Sequence, residues 1–90
     1  LRRAAELQPR RRSYRVRLGD ALAAAGRPGE AAVEFQTILE ADPEHAEALY
    51  GLATVSLMTG DRRAARAYAL RAVEAGHPAG GELLEKIGPP

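Results

Sequence analysis

The strongest constraint on this chain is self-similarity at a fixed offset. Leu18 recurs as Leu52, Gly26 as Gly60, Ala31 as Ala65, Glu40 as Glu74 and Ala41 as Ala75, each pair 34 positions apart. Glu6 and Pro9 stand the same 34 positions before Glu40 and Pro43, which places the first residues inside a repeating unit. A period of this length signals one supersecondary unit used repeatedly, each unit burying its apolar face only against its neighbours.

Inside each period the apolar spacing is helical. Leu18, Leu22 and Ala25 lie at i, i+4, i+7, and so do Ala31, Phe35 and Ile38, then Ala65, Ala69 and Ala72. Glycines at 26, 60 and 76 punctuate the ends, because glycine accepts the left-handed conformation with which helices terminate. Asp42 followed by Pro43 reads as an N-cap and first helical residue, and Gln8-Pro9 as a poorer version of it. The pattern predicts an all-α chain with helices at about 1–7, 10–25, 29–41, 43–58, 62–75 and 79–87 and no strand. The second helix of the later unit carries alanine at 64, 65, 67, 69 and 72, so neighbouring axes should approach closely in antiparallel pairs.

Composition narrows the function classes. The chain is 46% apolar and 28% charged, ordinary for one folded domain, and it has no cysteine for a disulfide or a thiolate metal site. No low-polarity stretch approaches the roughly 20 residues of a membrane-spanning helix. Arginine in place of lysine and abundant alanine point to a GC-rich bacterial genome. The net charge of +1 hides an asymmetry: residues 1–30 carry eight arginines and three acids, residues 31–90 five basic and nine acidic side chains. Such a distribution reads first as a solvated charged surface, and otherwise as a means to steer an anionic partner to one end or to favour head-to-tail stacking.

No catalytic, cofactor or metal constellation is expected. His45 and His77 have no second histidine at i+4 and no glutamate in a His-Glu-x-x-His setting. The Gly76–Gly81 stretch precedes a helix, but no strand leads into it and no Lys-Ser or Lys-Thr follows, so it reads as a breaker. The serines and threonines have no histidine spaced to act as a base. Arg10, Arg11 and Arg12 with Arg15, Arg17 and Tyr14 form the only cluster suited to nucleic acid or another polyanion, a reading that the near-neutral total charge disfavours.

The typed positions resemble the tetratricopeptide repeat over residues 12–79. In the first unit Leu18-Gly19, Leu22, Gly26, Ala31, Phe35, Ile38 and Pro43 stand at the pattern positions, with Arg15 where a large apolar residue is usual. In the second, Leu49, Leu52-Ala53, Ser56, Gly60, Ala65, Ala69 and Ala72 match, but Pro78 arrives one position late, a shift expected to alter how the last helix docks. The resemblance implies a single domain in which helix-turn-helix repeats stack as a right-handed superhelix. Residues 1–9 would end a preceding repeat, 12–45 and 46–79 would be two repeats, and 79–87 a capping helix.

It further implies a non-catalytic scaffold that holds a peptide or helix of a partner protein in a concave groove lined by the first helices. Family positions map onto Val16, Arg17, Asp20 and Ala23, with Ser13 and Ala24 beside them, and onto Tyr50, Thr54, Leu57 and Met58, with Glu47 and Gly51. Small Ala23, Ala24 and Gly51 would leave room for a partner's bulk. The positions that grip a C-terminal carboxylate in some members hold Val16, Asp20, Gly51, Thr54, Gly81 and Glu85, so that clamp is absent. The expected partner is apolar, or acidic near Arg15 and Arg17. Self-association through Leu1, Leu7 and the Leu83, Leu84, Ile87 stripe is a further expectation, unless that stripe turns inward as a cap. A regulatory appendage on an enzyme is a third reading.

Overall fold

Glycine and proline decide where the helices of this chain stop and restart. A computed structural model describes residues 9–89. It contains α1 (Pro9–Ala24), α2 (Pro28–Ala41), α3 (Ala46–Met58), α4 (Arg62–Glu74) and α5 (Gly80–Ile87), and no strand among the described residues. The helix expected over residues 1–7, with Leu1 and Leu7, lies outside them. The 34-residue period holds in space: α2 and α4 begin at 28 and 62, and α3 and α5 at 46 and 80.

Three helix ends share one design. Gly26, Gly60 and Gly76 adopt φ of 80°, 86° and 92°. At the first, Gly26 N–H donates to the Ala23 carbonyl (3.0 Å) and Arg27 N–H to that of Leu22 (2.9 Å). The same two bonds close the ends of α3 and α4, so otherwise orphaned carbonyls are satisfied.

The link between α2 and α3 differs from the sequence expectation. Asp42 does not cap α3, because Asp at the first and Pro at the second position of a tetrapeptide is equally a β-turn signature. Its carbonyl accepts from His45 N–H (3.0 Å) and its Oδ1 from Glu44 N–H (3.3 Å), while its own N–H closes α2 on Ile38. The cap of α3 is His45, whose Nδ1 accepts from Ala48 N–H (3.3 Å). His77-Pro78-Ala79-Gly80 repeats the turn, with Gly80 N–H on the His77 carbonyl (3.2 Å) and Ala79 N–H on His77 Nδ1 (3.0 Å). The late proline is thus absorbed in the turn, and α5 still starts one period after α3.

Consecutive helices pack on one another, and α1 also touches α3. One core cluster joins Val16, Ala31, Phe35, Ile38, Ala48, Leu52 and Val55; a second joins Ala53, Ala65, Ala69, Leu83 and Ile87. Helix α3 supplies both, which explains why it is buried on more than one face. Leu83 and Ile87 are 7% and 2% exposed, so the last stripe faces inward rather than offering a sticky end. Arg62 donates to the Ile87 carbonyl and Arg66 to that of Gly88 (2.6 Å), fixing the C-terminus of α5 with cations where a helix end favours them. Among the described residues no helix is long and apolar enough to cross a membrane.

Candidate binding groove

Phe35 organises the surface between the two first helices. Its ring, 1% exposed, enters from α2 between glycines of α1 and α3. A Cβ added at Gly19 would lie 2.7 Å from Phe35 Cζ, and one at Gly51 2.5 Å from the same atom, so only glycine fits at either place. Gly51 therefore makes room for the chain's own aromatic ring.

Above the ring lies an open pocket of about 290 Å³, lined by Asp20, Ala23 and Ala24 of α1, Phe35 of α2, and Tyr50, Gly51, Thr54 and Met58 of α3. Helical spacing brings each set to one face: Asp20 with Ala23 and Ala24 at i+3 and i+4, and Tyr50 with Thr54 and Met58 at i+4 and i+8. Met58 is 49% exposed, an apolar and adaptable contact left in solvent. Tyr50 is held from the side by His77, whose ring stacks on it at 4.2 Å with an angle of 4° between the planes. Thr54 Oγ1 donates to the Tyr50 carbonyl (3.1 Å), its hydroxyl satisfied within the helix.

Five of the eight residues singled out from the sequence, Asp20, Ala23, Tyr50, Thr54 and Met58, come together here. Three do not. Val16 is 8% exposed inside the first core cluster. Leu57 packs against the second cluster. Arg17 is exposed on α1 but does not line the pocket.

Electrostatics also departs from expectation. Arg15, assigned to an acidic partner, is engaged internally: its Nη1 donates to Glu34 Oε1 at 2.6 Å. One period later the same two positions hold Leu49 and Tyr68, so an ion pair replaces an apolar pair at this site. The Asp20 carboxyl is raised above its ordinary value, chiefly because the protein shields it from water and secondarily because Glu47 repels its charge. Among the described residues no ion pair or hydrogen bond engages Asp20 or Glu47.

The Phe35 edge on the groove floor and the Tyr50–His77 stack were not among the sequence expectations. The available signal for the first was glycine inside a helix at 19 and 51, a costly choice that marks a close approach. No group of three or more histidine, aspartate or glutamate side chains placed to hold a metal occurs among the described residues.

A family model described as tetratricopeptide repeat matches residues 22–87, and a second with the same description matches residues 1–37. No curated protein matches the chain.

Proposed function

The chain belongs to the tetratricopeptide repeat family, whose repeats generally mediate protein–protein interaction, and from that premise we propose that its groove between α1 and α3 docks a segment of a partner protein without catalysing a reaction. The observation that carries this reading is the pocket over Phe35. It is open and largely apolar, its walls come from two helices, and half-exposed Met58 stands at its edge. Pre-formed apolar concavities with a few polar groups are where peptides and helices dock. The floor is the buried Phe35 ring and one wall is pinned by the His77 stack, so little ordering cost opposes binding.

Peptides selected on the purified chain from a random library test the reading. Met58→Ser and Ala24→Gln, which strip apolar contact or fill the pocket with neutral bulk, should each weaken selected peptides about tenfold, the effect of losing roughly 1.4 kcal/mol. Val33→Ser, which alters a residue 59% exposed on α2 outside the groove, should leave them unchanged. Peptides insensitive to both groove changes would refute the assignment.

A further inference from the structure

We propose that the groove's occupant is a segment of another protein in which a lysine or arginine neighbours an aliphatic side chain, the cation lying between Asp20 and Glu47 and the aliphatic group against Ala23, Met58 and the Phe35 edge. The inference rests on the groove being a docking surface and adds the chemistry of what docks.

Shape and charge support it separately. Ala23, Ala24, Phe35, Tyr50 and Met58 give the pocket an apolar lining that suits an unbranched or branched aliphatic group. Asp20 lines the same pocket, and Glu47 stands in the first turn of α3, on the stripe that continues through Tyr50 and Thr54. The nearest basic residue along α1, Arg17, makes no ion pair with Asp20 among the described residues, and Arg15 is spent on Glu34.

Two neighbouring carboxylates that pair with no cation among the described residues, one partly shielded from water, are a local cost to the free protein. An arriving ammonium or guanidinium relieves the repulsion between them. An acidic peptide or a phosphate would add a third negative charge to the place where two already repel, so complementarity selects against it. The raised Asp20 carboxyl fixes the sign of a proton linkage. A bound cation favours the ionised acid, so affinity falls as pH drops through the range in which Asp20 takes up its proton.

Two fluorescent peptides of equal length provide the probe, one alternating leucine with lysine and the other leucine with glutamate. Their anisotropy is followed on the wild-type chain, on Asp20→Asn/Glu47→Gln and on Met58→Ser, each confirmed folded by circular dichroism. The lysine peptide should bind at least tenfold tighter than the glutamate peptide. The double variant should lose about tenfold for the lysine peptide alone, as expected when two partly screened charge pairs are removed, and Met58→Ser should weaken both peptides. Equal or tighter binding of the glutamate peptide, or a double variant that binds lysine as the wild type does, overturns the cation assignment; the groove reading survives that result if Met58→Ser still weakens binding. If neither peptide binds, or Met58→Ser changes nothing, both fall together. Light scattering covers the remaining occupant: a dimer that dissociates in Asp20→Asn/Glu47→Gln would mean that a second copy supplies the cation, and would overturn the proposal of a foreign segment.

Discussion

Gly51→Ala isolates the contact on which both core and groove depend. Alanine is better than glycine inside a helix by about 1 kcal/mol, so at an unobstructed site the substitution would stabilise α3. Here the new methyl carbon would sit 2.5, 2.6 and 2.7 Å from Cζ, Cε1 and Cε2 of Phe35. The ring cannot retreat toward α1, because Gly19 already lies against it, its own notional Cβ 2.7 Å from Cζ. Overpacking of a filled core costs typically 1–3 kcal/mol. The expected balance is a loss of about 1–2 kcal/mol despite the better helix former.

Phe35→Leu removes the three offending ring atoms, so in that background Gly51→Ala should be neutral or stabilising by up to about 1 kcal/mol. The two substitutions should therefore couple by about 2 kcal/mol in a double-mutant cycle. Urea unfolding of the four proteins, followed by far-ultraviolet circular dichroism, measures it. A Gly51→Ala cost that is the same with Phe35 or Leu at position 35 would refute the wedge, as would any stabilisation in the wild-type background.

Three further outcomes follow from the geometry. Gly60→Ala should cost about 1–2 kcal/mol, since the residue holds φ of 86°, whereas Gly29→Ala, within α2 and with open space where the methyl goes, should be neutral or stabilising by thermal melt. Glu34→Gln should destabilise by about 1 kcal/mol through loss of the Arg15 partner, while Arg15→Leu with Glu34→Tyr, the pair used one repeat later, should recover or exceed wild-type stability in urea. Because Asp20 titrates higher when folded than when unfolded, its ionised form costs stability, a cost that sets in as pH rises through the unfolded value and is complete above the folded one. Asp20→Asn should accordingly melt higher than wild type at pH 7, with the difference vanishing near about pH 3; a variant melting lower at pH 7 would contradict the sign.

Fold class was legible because periodicity and turn residues are local signals. Gly26, Gly60 and Gly76 marked helix ends that the backbone then adopts with positive φ, and the offset between them survives in the spacing of the helices. The α2–α3 junction was not legible because Asp42-Pro43 satisfies two rules at once, and only the competition between capping and turn hydrogen bonds decides. Within the groove, stripe geometry located Asp20, Ala23, Tyr50, Thr54 and Met58. It failed for Val16 and Leu57, where the angular difference between a groove-facing and a core-facing position is about one residue's turn of the helix. What decides such borderline positions is what arrives from other helices, and the Arg15–Glu34 pair and the Phe35 ring both come from sequence-distant contacts.

Phe35 ties these levels together, since one ring serves as the centre of the first core cluster and as the floor of the pocket. Any change that moves it must alter stability and the shape offered to a partner at once, so variants at 19, 35 and 51 cannot separate folding from binding. Met58 and Asp20 can, because both line the pocket while remaining exposed and outside either core cluster. On the docking proposal, the buried Phe35 ring and the Tyr50–His77 stack would fix where a partner sits, and the exposed residues around them would set which partner it is. Substitutions at 20 and 58 should consequently change partner preference without loss of unfolding free energy, and a rim variant that lost stability and binding in proportion would show that rim and floor are not independent.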